Sequence, residues 1–299
     1  VGLVALKRLK DAMADGDPIR AVIRASGVNQ DGASNGITAP NGTAQEALLR
    51  NVYETFKISA SQIELVEAHG TGTRLGDPIE VNTLSRVLQP AKREHGIYLG
   101  TAKANIGHTS AASGVIGLIK LVLSMEHKTI PRLPGFDRLN PKIDPLGWQI
   151  SAASQSWQPA PDHPRLAALS SFGHSGTNTH FVVQEASLDA SVTSTSMQLV
   201  PLSAKQGGQL QAQAENLLAA LRKRPDLSLA SVAWTLQSGR QPWQQRVCFV
   251  VNSIESLCDE LMRYLKGELP TEQEAPKALL EAAGYWQSGG DVSWLSLQN

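Results

Sequence analysis

Cysteine is scarce in this sequence, which has only Cys248 and Cys258 among its 299 residues. Their number and spacing suit neither a zinc site, which needs a cluster of ligands, nor a disulfide framework. We therefore expect two ordinary thiols in a reducing cytoplasm, and no metal site.

An excess of charge of one sign is also lacking, and so are long apolar runs. The 27 Lys and Arg residues balance 27 Asp and Glu residues, so no net field draws the chain to nucleic acid or to an anionic membrane. No uninterrupted apolar stretch approaches the roughly 20 residues that a membrane-spanning helix needs. Partners must therefore be recognised through specific surfaces.

Short apolar runs alternate with helix-like segments over the first two thirds of the chain. Such alternation is typical of layered α/β proteins. The pattern predicts strands at 21–24, 63–67, 97–100, 169–171 and 179–183, and helices at 43–56 and 79–88. The first residues, 1–9, are also apolar enough to predict a buried strand.

A long helix is predicted from about residue 110 to 125. It begins with small residues, including Gly114 and Gly117, although glycine costs about 1 kcal/mol relative to alanine in an exposed helix. Small residues let another backbone approach closely, so we expect this helix to be buried. Prolines at 131, 134, 141 and 145 then predict a long covering loop.

A second unit follows a segment at 186–197 that is rich in Ser, Thr and Ala and indicates a linker. This unit has predicted strands at 199–204 and 246–251 and helices at 208–224, 228–236 and 254–265, the second of them capped by Ser228. The predicted organisation is a domain at 1–186, a linker at 187–198 and a second domain at 199–299.

Three polar runs that contain glycine lie at predicted strand ends of the first domain. They are Glu67-Ala68-His69-Gly70-Thr71-Gly72-Thr73, Lys103-Ala104-Asn105-Ile106-Gly107-His108 and Phe172-Gly173-His174-Ser175-Gly176-Thr177-Asn178. Together they resemble the C-terminal half of the ketosynthase domain of modular (type I) polyketide synthases. The second unit, with its terminal run from Tyr285 to Trp294, resembles the post-ketosynthase linker domain, in the form found in assembly lines served by a separate acyltransferase.

The resemblance implies an α/β, thiolase-like layered fold (C-terminal half) followed by a small α/β linker domain. It also implies a β-ketoacyl synthase, an acyltransferase that condenses acyl and malonyl thioesters with loss of carbon dioxide. His69 and His108 would flank the extender thioester carbonyl, where neutral imidazoles donate hydrogen bonds to a developing oxyanion. Lys103 would join the hydrogen-bonded network of the site, if Glu67 or Asp77 compensates its charge.

The same resemblance assigns the remaining site residues. Thr71 and Thr73 would hold the phosphopantetheine arm of acyl carrier protein, which carries the substrates, and no cofactor would bind directly. Phe172, Gly173 and His174 would form a gate loop whose backbone N–H groups contribute to an oxyanion site. Where His174 stands the family usually has Phe, so His174 either changes the gating or merely fills the Phe space.

Several polar residues near these runs are open to structural interpretations. Asp77 and Glu80 are placed to cap the helix that begins near Pro78. Asn178 and His180 are predicted to be structural, and the polar segment 29–41 is predicted to border the substrate entrance.

The family's nucleophile is a cysteine in a Thr-Ala-Cys-Ser-Ser type run, which this sequence lacks. We therefore expect an N-terminal ketosynthase half to supply it, and we expect the intact synthase to be a homodimer. Two other functions remain open: a ketosynthase that only relays acyl chains, and a non-catalytic scaffold or interaction module. Retention of His69 and His108 favours condensation.

Overall fold

The computed structural model describes residues 1–33, 39–158, 160, 163–186, 197–270 and 275–297. The chain divides into two compact units, one formed by residues 1–13 and 18–188, the other by residues 14–17 and 189–299. Most of the predicted linker, at 187–196, lies outside the described residues.

The first unit carries most of the secondary structure. Its helices are α1 (Leu9–Ala14), which ends at the unit boundary, α2 (Gly42–Thr55), α3 (Gly76–Leu88), α4 (Lys103–Ile106) and α5 (Ser113–Glu126). Its strands are β1 (Ala21–Gln30), β2 (Leu65–Glu67), β3 (Ile97–Gly100), β4 (Thr129–Ile130), β5 (Trp148–Gln149), β6 (Gln155–Ser156), β7 (Leu166–Phe172) and β8 (Thr177–Glu185).

Six of these strands form one mixed sheet in the order β1-β8-β7-β2-β3-β5. Strand β2 runs parallel to both neighbours, with Glu67 opposite Gly100 of β3 and Leu169 of β7. Strand β8 is antiparallel to β7 and to β1. Because the carboxyl ends of parallel strands meet at one edge of a sheet, the segments that follow β2, β3 and β7 leave the sheet together. These segments contain the three polar runs.

Helices cover both faces of this sheet. Helices α2 and α3 pack against one face through residues such as Leu48 and Leu84, and α5 packs against the other through Leu121. Adjacent strand residues point to opposite faces, so Leu65 joins the α5 core whereas Val66 joins the α2 and α3 core. The first unit is therefore a three-layer α/β structure.

The alternating pattern of the sequence is confirmed in this unit, although the bounds of most elements differ from those predicted. The helix expected at 110–125 is a 3₁₀ turn at Ser110–Ala112 followed by α5. Gly117 allows close packing, but against side chains and not against another backbone as expected: a Cβ atom built there lies 2.7 Å from the side chain of Leu169. Helix α5 is also less buried than expected, since only Gly117, Leu121, Ser124 and Met125 of its 14 residues are buried. Residues 131–147 contain no helix or strand, as the prolines predict.

The strand predicted at 1–9 is wrong. Residues 1–8 have no regular structure, Leu9 begins α1, and Val1, Leu3 and Leu6 are exposed. In the described part of the chain no strand pairs with this segment, so its backbone groups have no ladder partner. Apolar composition without such a partner does not make a strand.

The second unit pairs β9 (Gln198–Ala204) with β10 (Gln245–Val251) in antiparallel fashion. Its helices are α6 (Gly207–Lys223), α7 (Leu229–Ser238), α8 (Ile254–Leu265) and α9 (Lys277–Gln287). The predicted cap is confirmed, since Ser228 Oγ accepts the N–H of Ser231, but α9 was not predicted. No helix within the described ranges combines the length and apolar character that crossing a membrane requires.

Candidate active site

A cleft of about 1040 Å³ lies where β2, β3 and β7 end. All three polar runs reach it, and its lining includes His69, Thr71, Thr73, His108, Phe172, Gly173 and His174. A second cavity of about 710 Å³ is lined by Lys103 and by residues of the proline-containing loop. Thr71, Thr73 and Glu80 border both cavities.

His69 lies two residues beyond β2, with its ring against Phe172. Its Nδ1 accepts a hydrogen bond from the N–H of Phe172 at 3.3 Å, and the two ring centroids are 5.4 Å apart. Burial, reinforced by the charge of Lys103 and by His108, lowers the pKa of His69 to about 4. The ring is therefore neutral at pH 7, and because Nδ1 is an acceptor, its proton lies on Nε2.

His108 follows α4, where Gly107 turns the chain with a φ of +77°. Its Nδ1 accepts the N–H of Ser110 at 3.1 Å, and desolvation together with Lys103 lowers the pKa of His108. The rings of His69 and His108 are 5.5 Å apart at an angle of 81°. Each neutral ring thus keeps a second nitrogen, Nε2–H, which can donate a hydrogen bond to a ligand.

Lys103 begins α4 and is partly buried. Burial lowers the pKa of Lys103, Glu67 and Glu80 oppose this effect, and the charge of Lys120 adds to it. Glu67 is already paired with Lys120, with 2.8 Å between Oε2 and Nζ, and Lys103 forms no ion pair with any described residue. The direct partner that we expected for Lys103 is therefore absent.

Lys120 was not predicted from the sequence as a site residue. The feature that could have indicated its role is its position as the single cation in the apolar run from Val115 to Leu123. A lone charge within an apolar helix indicates a partner elsewhere in the fold, but the sequence does not identify Glu67 as that partner.

Glu80 and Asp77 bind the loop that precedes their helix. The Glu80 oxygens accept the N–H groups of His69 and Gly70 at 2.7 and 2.9 Å, and Asp77 Oδ1 accepts the N–H of Gly72 at 3.0 Å. The N-cap position of α3 has no side-chain hydrogen bond, so the predicted capping role is wrong. Burial raises the pKa of Glu80 to about 7 and also raises the pKa of Asp77.

Thr71 and Thr73 face the same cleft, with their hydroxyl oxygens 3.5 Å apart. Gly70 and Gly72, which alternate with them, have φ values of +46° and +74°, a region that favours glycine. Thr73 Oγ1 accepts the N–H of Gly76 at 2.9 Å. The loop therefore presents two adjacent hydroxyl groups to the cleft.

The third run forms the turn between β7 and β8. The N–H of Gly173 donates to the carbonyl of Thr177 at 2.7 Å, and the N–H of Phe172 donates to His69. The side chain of His174 is exposed, and its N–H meets no acceptor among the described residues. Of the three backbone N–H groups in the predicted gate loop, those of Phe172 and Gly173 thus already have acceptors among the described residues. The N–H of His174 is the one that remains for a ligand.

Asn178 anchors this turn. Its buried side-chain amide donates to Asn29 Oδ1 at 3.2 Å and to Asp31 Oδ1 at 2.7 Å. Asp31 and Pro40 line the cleft, whereas residues 34–38 of the same polar segment lie outside the described residues. The structural role predicted for Asn178 agrees with these bonds.

Both cysteines are free thiols in the second unit. Burial raises the pKa of Cys248 to about 12 and also raises the pKa of Cys258, so neither thiol ionises near neutral pH. Neither lines the cleft. Across the described ranges no group of three or more His, Cys, Asp or Glu residues is arranged to hold a metal ion.

Comparison with known families matches both units. Residues 20–137 match the family described as beta-ketoacyl synthase, C-terminal domain. Residues 198–261 match the family described as CurL-like, PKS C-terminal. The first match contains the His69 and His108 runs and ends before the turn at Phe172.

Curated relatives are large synthases. Polyketide synthase PksL of Bacillus subtilis is 42% identical over 278 residues, which are 90% of this chain and 6% of PksL. Polyketide synthase GfsA of Streptomyces halstedii is 40% identical over 297 residues, which are 95% of this chain and 4% of GfsA. The chain therefore spans only a small part of these relatives.

A solved structure shows the same fold. The ketosynthase from module 6 of the bacillaene synthase of Bacillus subtilis 168 superimposes with a TM-score of 0.79 at 38% identity, over 97% of this chain and 56% of that one. The thiolase-like α/β fold predicted from the sequence is confirmed. The chain therefore belongs to the ketosynthase family of modular polyketide synthases, of which it contains the β-ketoacyl synthase C-terminal domain and the C-terminal unit that follows it.

Proposed function

We propose that this chain supplies the decarboxylation half of a β-ketoacyl synthase active site, in which a malonyl thioester extends an acyl chain. The observation that carries the proposal is the hydrogen bond that each of the two Nδ1 atoms accepts from the backbone. Because Nδ1 of His69 and Nδ1 of His108 each accept a backbone N–H, two Nε2–H donors remain on neighbouring rings that line one cleft.

Two such donors suit the charge that develops when malonyl thioester loses carbon dioxide. The bond between the α-carbon and the carboxylate breaks, and its electron pair becomes an enolate whose negative charge lies on the thioester oxygen. Hydrogen bonds from the Nε2–H groups of His69 and His108 stabilise this oxygen. The lowered pKa of His69, about 4, keeps its ring neutral at pH 7. A positively charged ring would stabilise the carboxylate of the intact malonyl group as well as the enolate, and would therefore lower the barrier less.

The enolate carbon then attacks an acyl thioester, and the resulting tetrahedral oxyanion collapses as the thiolate leaves. We assign that thiolate to the cysteine of an N-terminal ketosynthase half, since Cys248 and Cys258 lie outside the cleft. In this proposal the N–H of His174 contributes to the oxyanion site. Its side chain replaces the Phe usual in the family and acts on gating.

Acyl carrier protein is the proposed carrier of the malonyl group. Its phosphopantetheine arm is a long, thin chain with amide groups, and the adjacent hydroxyls of Thr71 and Thr73 suit hydrogen bonds to it. Lys103 contributes a positive charge near the two histidines. We place the intact enzyme in the cytoplasm, as a homodimer within a synthase served by a separate acyltransferase.

The test is co-expression of this chain with the N-terminal half of a related ketosynthase, followed by measurement of carbon dioxide release from malonyl acyl carrier protein. His69→Ala and His108→Ala are each expected to slow release by roughly 10²- to 10³-fold, the usual effect of losing one oxyanion donor. His69→Asn, which keeps an amide donor, should recover roughly tenfold of this loss.

His127→Ala is the matched control, because His127 is exposed and does not line the cleft. Unchanged release in both cleft variants would overturn the proposal. A soluble complex that releases no carbon dioxide would also overturn it and would favour an acyl relay or a scaffold, the two other functions considered from the sequence.

A further inference from the structure

We infer that Lys120 is a positioning residue of the site: it holds the Glu67 carboxylate, so that the ammonium group of Lys103 stays available to the two histidines. The inference deepens the proposed function, and its consequences for turnover rest on that function. Its structural part concerns three side chains of the first unit and can be tested separately.

Glu67 is the last residue of β2 and is only 2% exposed. Its Oε1 accepts the N–H of Ala102 at 2.5 Å, and its Oε2 accepts from Lys120 Nζ at 2.8 Å. Both oxygens are therefore engaged, which is what a buried carboxylate requires.

Two glycines provide the space for this pair. A Cβ atom built on Gly117 would lie 3.2 Å from Glu67 Cγ, and one built on Gly100 would lie 3.3 Å from Lys120 Nζ. Both distances are shorter than ordinary carbon contacts. Helix α5 and strand β3 are thus shaped around the Glu67 and Lys120 side chains.

The pair connects the two loops that carry the histidines. Glu67 precedes His69 by two residues, and its bond to Ala102 reaches the residue before Lys103, at the start of the short helix that leads to His108. A change at Lys120 is therefore transmitted to both loops through a single carboxylate.

Glu67, which is paired with Lys120, also acts on the charge of Lys103. The charged groups that act on Lys103 come from three directions: Glu67 at the end of β2, Glu80 on α3 and Lys120 on α5. The two carboxylates raise the pKa of Lys103, whereas burial and Lys120 lower it, and Glu67 outweighs Lys120. Without the cation at 120, Glu67 would draw Lys103 toward itself.

The histidines would respond to this movement. The charge of Lys103 lowers the pKa of both His69 and His108. If Lys103 turned to Glu67, this effect would weaken and both imidazoles would take up a proton at a higher pH. The neutral Nε2–H donors would then be lost over a wider acidic range.

The structural test is competitive acetylation of the full chain with acetic anhydride at several pH values, with the peptide that contains Lys103 quantified by mass spectrometry. In Lys120→Met we expect Lys103 to react roughly threefold more slowly at a given pH, because Glu67 stabilises its charged form. Lys120→Arg keeps the cation and should react like wild type.

The double variant Glu67→Gln with Lys120→Met keeps the test decisive if the single variant does not fold, because it leaves no unpaired buried carboxylate. In this variant Lys103 should react faster than in wild type, since the stronger influence, that of Glu67, is also lost. Faster reaction in both Met variants would mean that Lys120 only packs the loop. That result, or no change in either variant, would overturn the inference.

A second readout uses the ketosynthase assembled with its N-terminal half. Lys120→Met should move the acidic limb of the decarboxylation rate to higher pH, whereas Lys120→Arg should not. A fall in kcat with the acidic limb unmoved would contradict the positioning role. If the wild-type complex shows no decarboxylation, the proposed function fails, and the acetylation result still decides the role of Lys120.

Discussion

His69 is partly buried and His180 is fully buried, and the two lie in regions of different character. His69 borders the cleft and has one ring nitrogen bonded within the chain, to the N–H of Phe172. His180 lies in the core on β8, is 0% exposed, and has both nitrogens engaged, Nδ1 with Ser170 Oγ at 3.0 Å and Nε2 with Tyr53 Oη at 3.1 Å.

Burial lowers the pKa of both imidazoles, of His69 to about 4 and of His180 to about 3. A lowered pKa therefore does not by itself distinguish a reactive histidine from a structural one. The difference lies in the remaining hydrogen-bonding capacity: His69, which lines the cleft, keeps an unused ring nitrogen, whereas both ring nitrogens of His180 are engaged. We infer that His69 serves chemistry and that His180 serves stability.

The largest expected effect that separates the two is on stability. His180→Leu removes two buried hydrogen bonds and leaves the hydroxyl groups of Ser170 and Tyr53 without their partner. We expect it to lower the free energy of unfolding by about 3–5 kcal/mol. His69→Leu deprives only the N–H of Phe172 of a partner and should cost about 1–2 kcal/mol.

Urea denaturation followed by circular dichroism measures both values. His127→Leu is the control for the change of residue type, because His127 is exposed. Equal losses for His180→Leu and His69→Leu would remove the distinction between the two regions.

A smaller effect is expected in the pH dependence of the same comparison. In the folded chain the pKa of His180 is about 3, and in the unfolded chain it is about 6.5. Between these values the unfolded state binds more protons, so the stability contributed by His180 is lost as the pH falls below about 6.5. The difference in the free energy of unfolding between wild type and His180→Leu should therefore decrease by about 2 kcal/mol from pH 6.5 to pH 5.

Glu80 acts in the opposite direction, because its raised folded pKa favours stability at low pH. It is present in wild type and in the variant alike, so it cancels in the difference. A difference that stays constant from pH 6.5 to pH 5 would show that His180 is protonated in the folded chain.

The sequence predicted the layered fold because that fold follows from local patterns, whereas the three polar runs were identified by their resemblance to ketosynthases. Alternating apolar segments indicate the strands and helices, and the carboxyl ends of β2, β3 and β7 bring the three polar runs to one edge. The strand predicted at 1–9 failed because a strand also needs a neighbour, which composition does not provide.

The hydrogen bonds of the site were beyond prediction for a related reason. The N–H that fixes the tautomer of His69 belongs to Phe172, 103 positions away, and the cation that pairs with Glu67 belongs to Lys120, 53 positions away. A motif identifies the residue types of a site. It does not show which of their atoms the rest of the fold already uses.

Gln45 on α2 provides a test in which the expected effect on stability is the smallest and has the opposite sign to that of His180→Leu. It is 2% exposed and borders the cleft, and its Oε1 meets no donor among the described residues. If His180 stabilises the fold because its nitrogens are paired, an unpaired buried acceptor should destabilise it. Gln45→Met, of similar size, should therefore raise the free energy of unfolding by about 1 kcal/mol.

Glu54→Met, at an exposed position of the same helix, controls for helix propensity in the same urea titrations. A loss of stability in Gln45→Met alone would mean that the amide oxygen has a donor in solution, such as a water molecule in the cleft, and would place Gln45 with His180 among the paired groups.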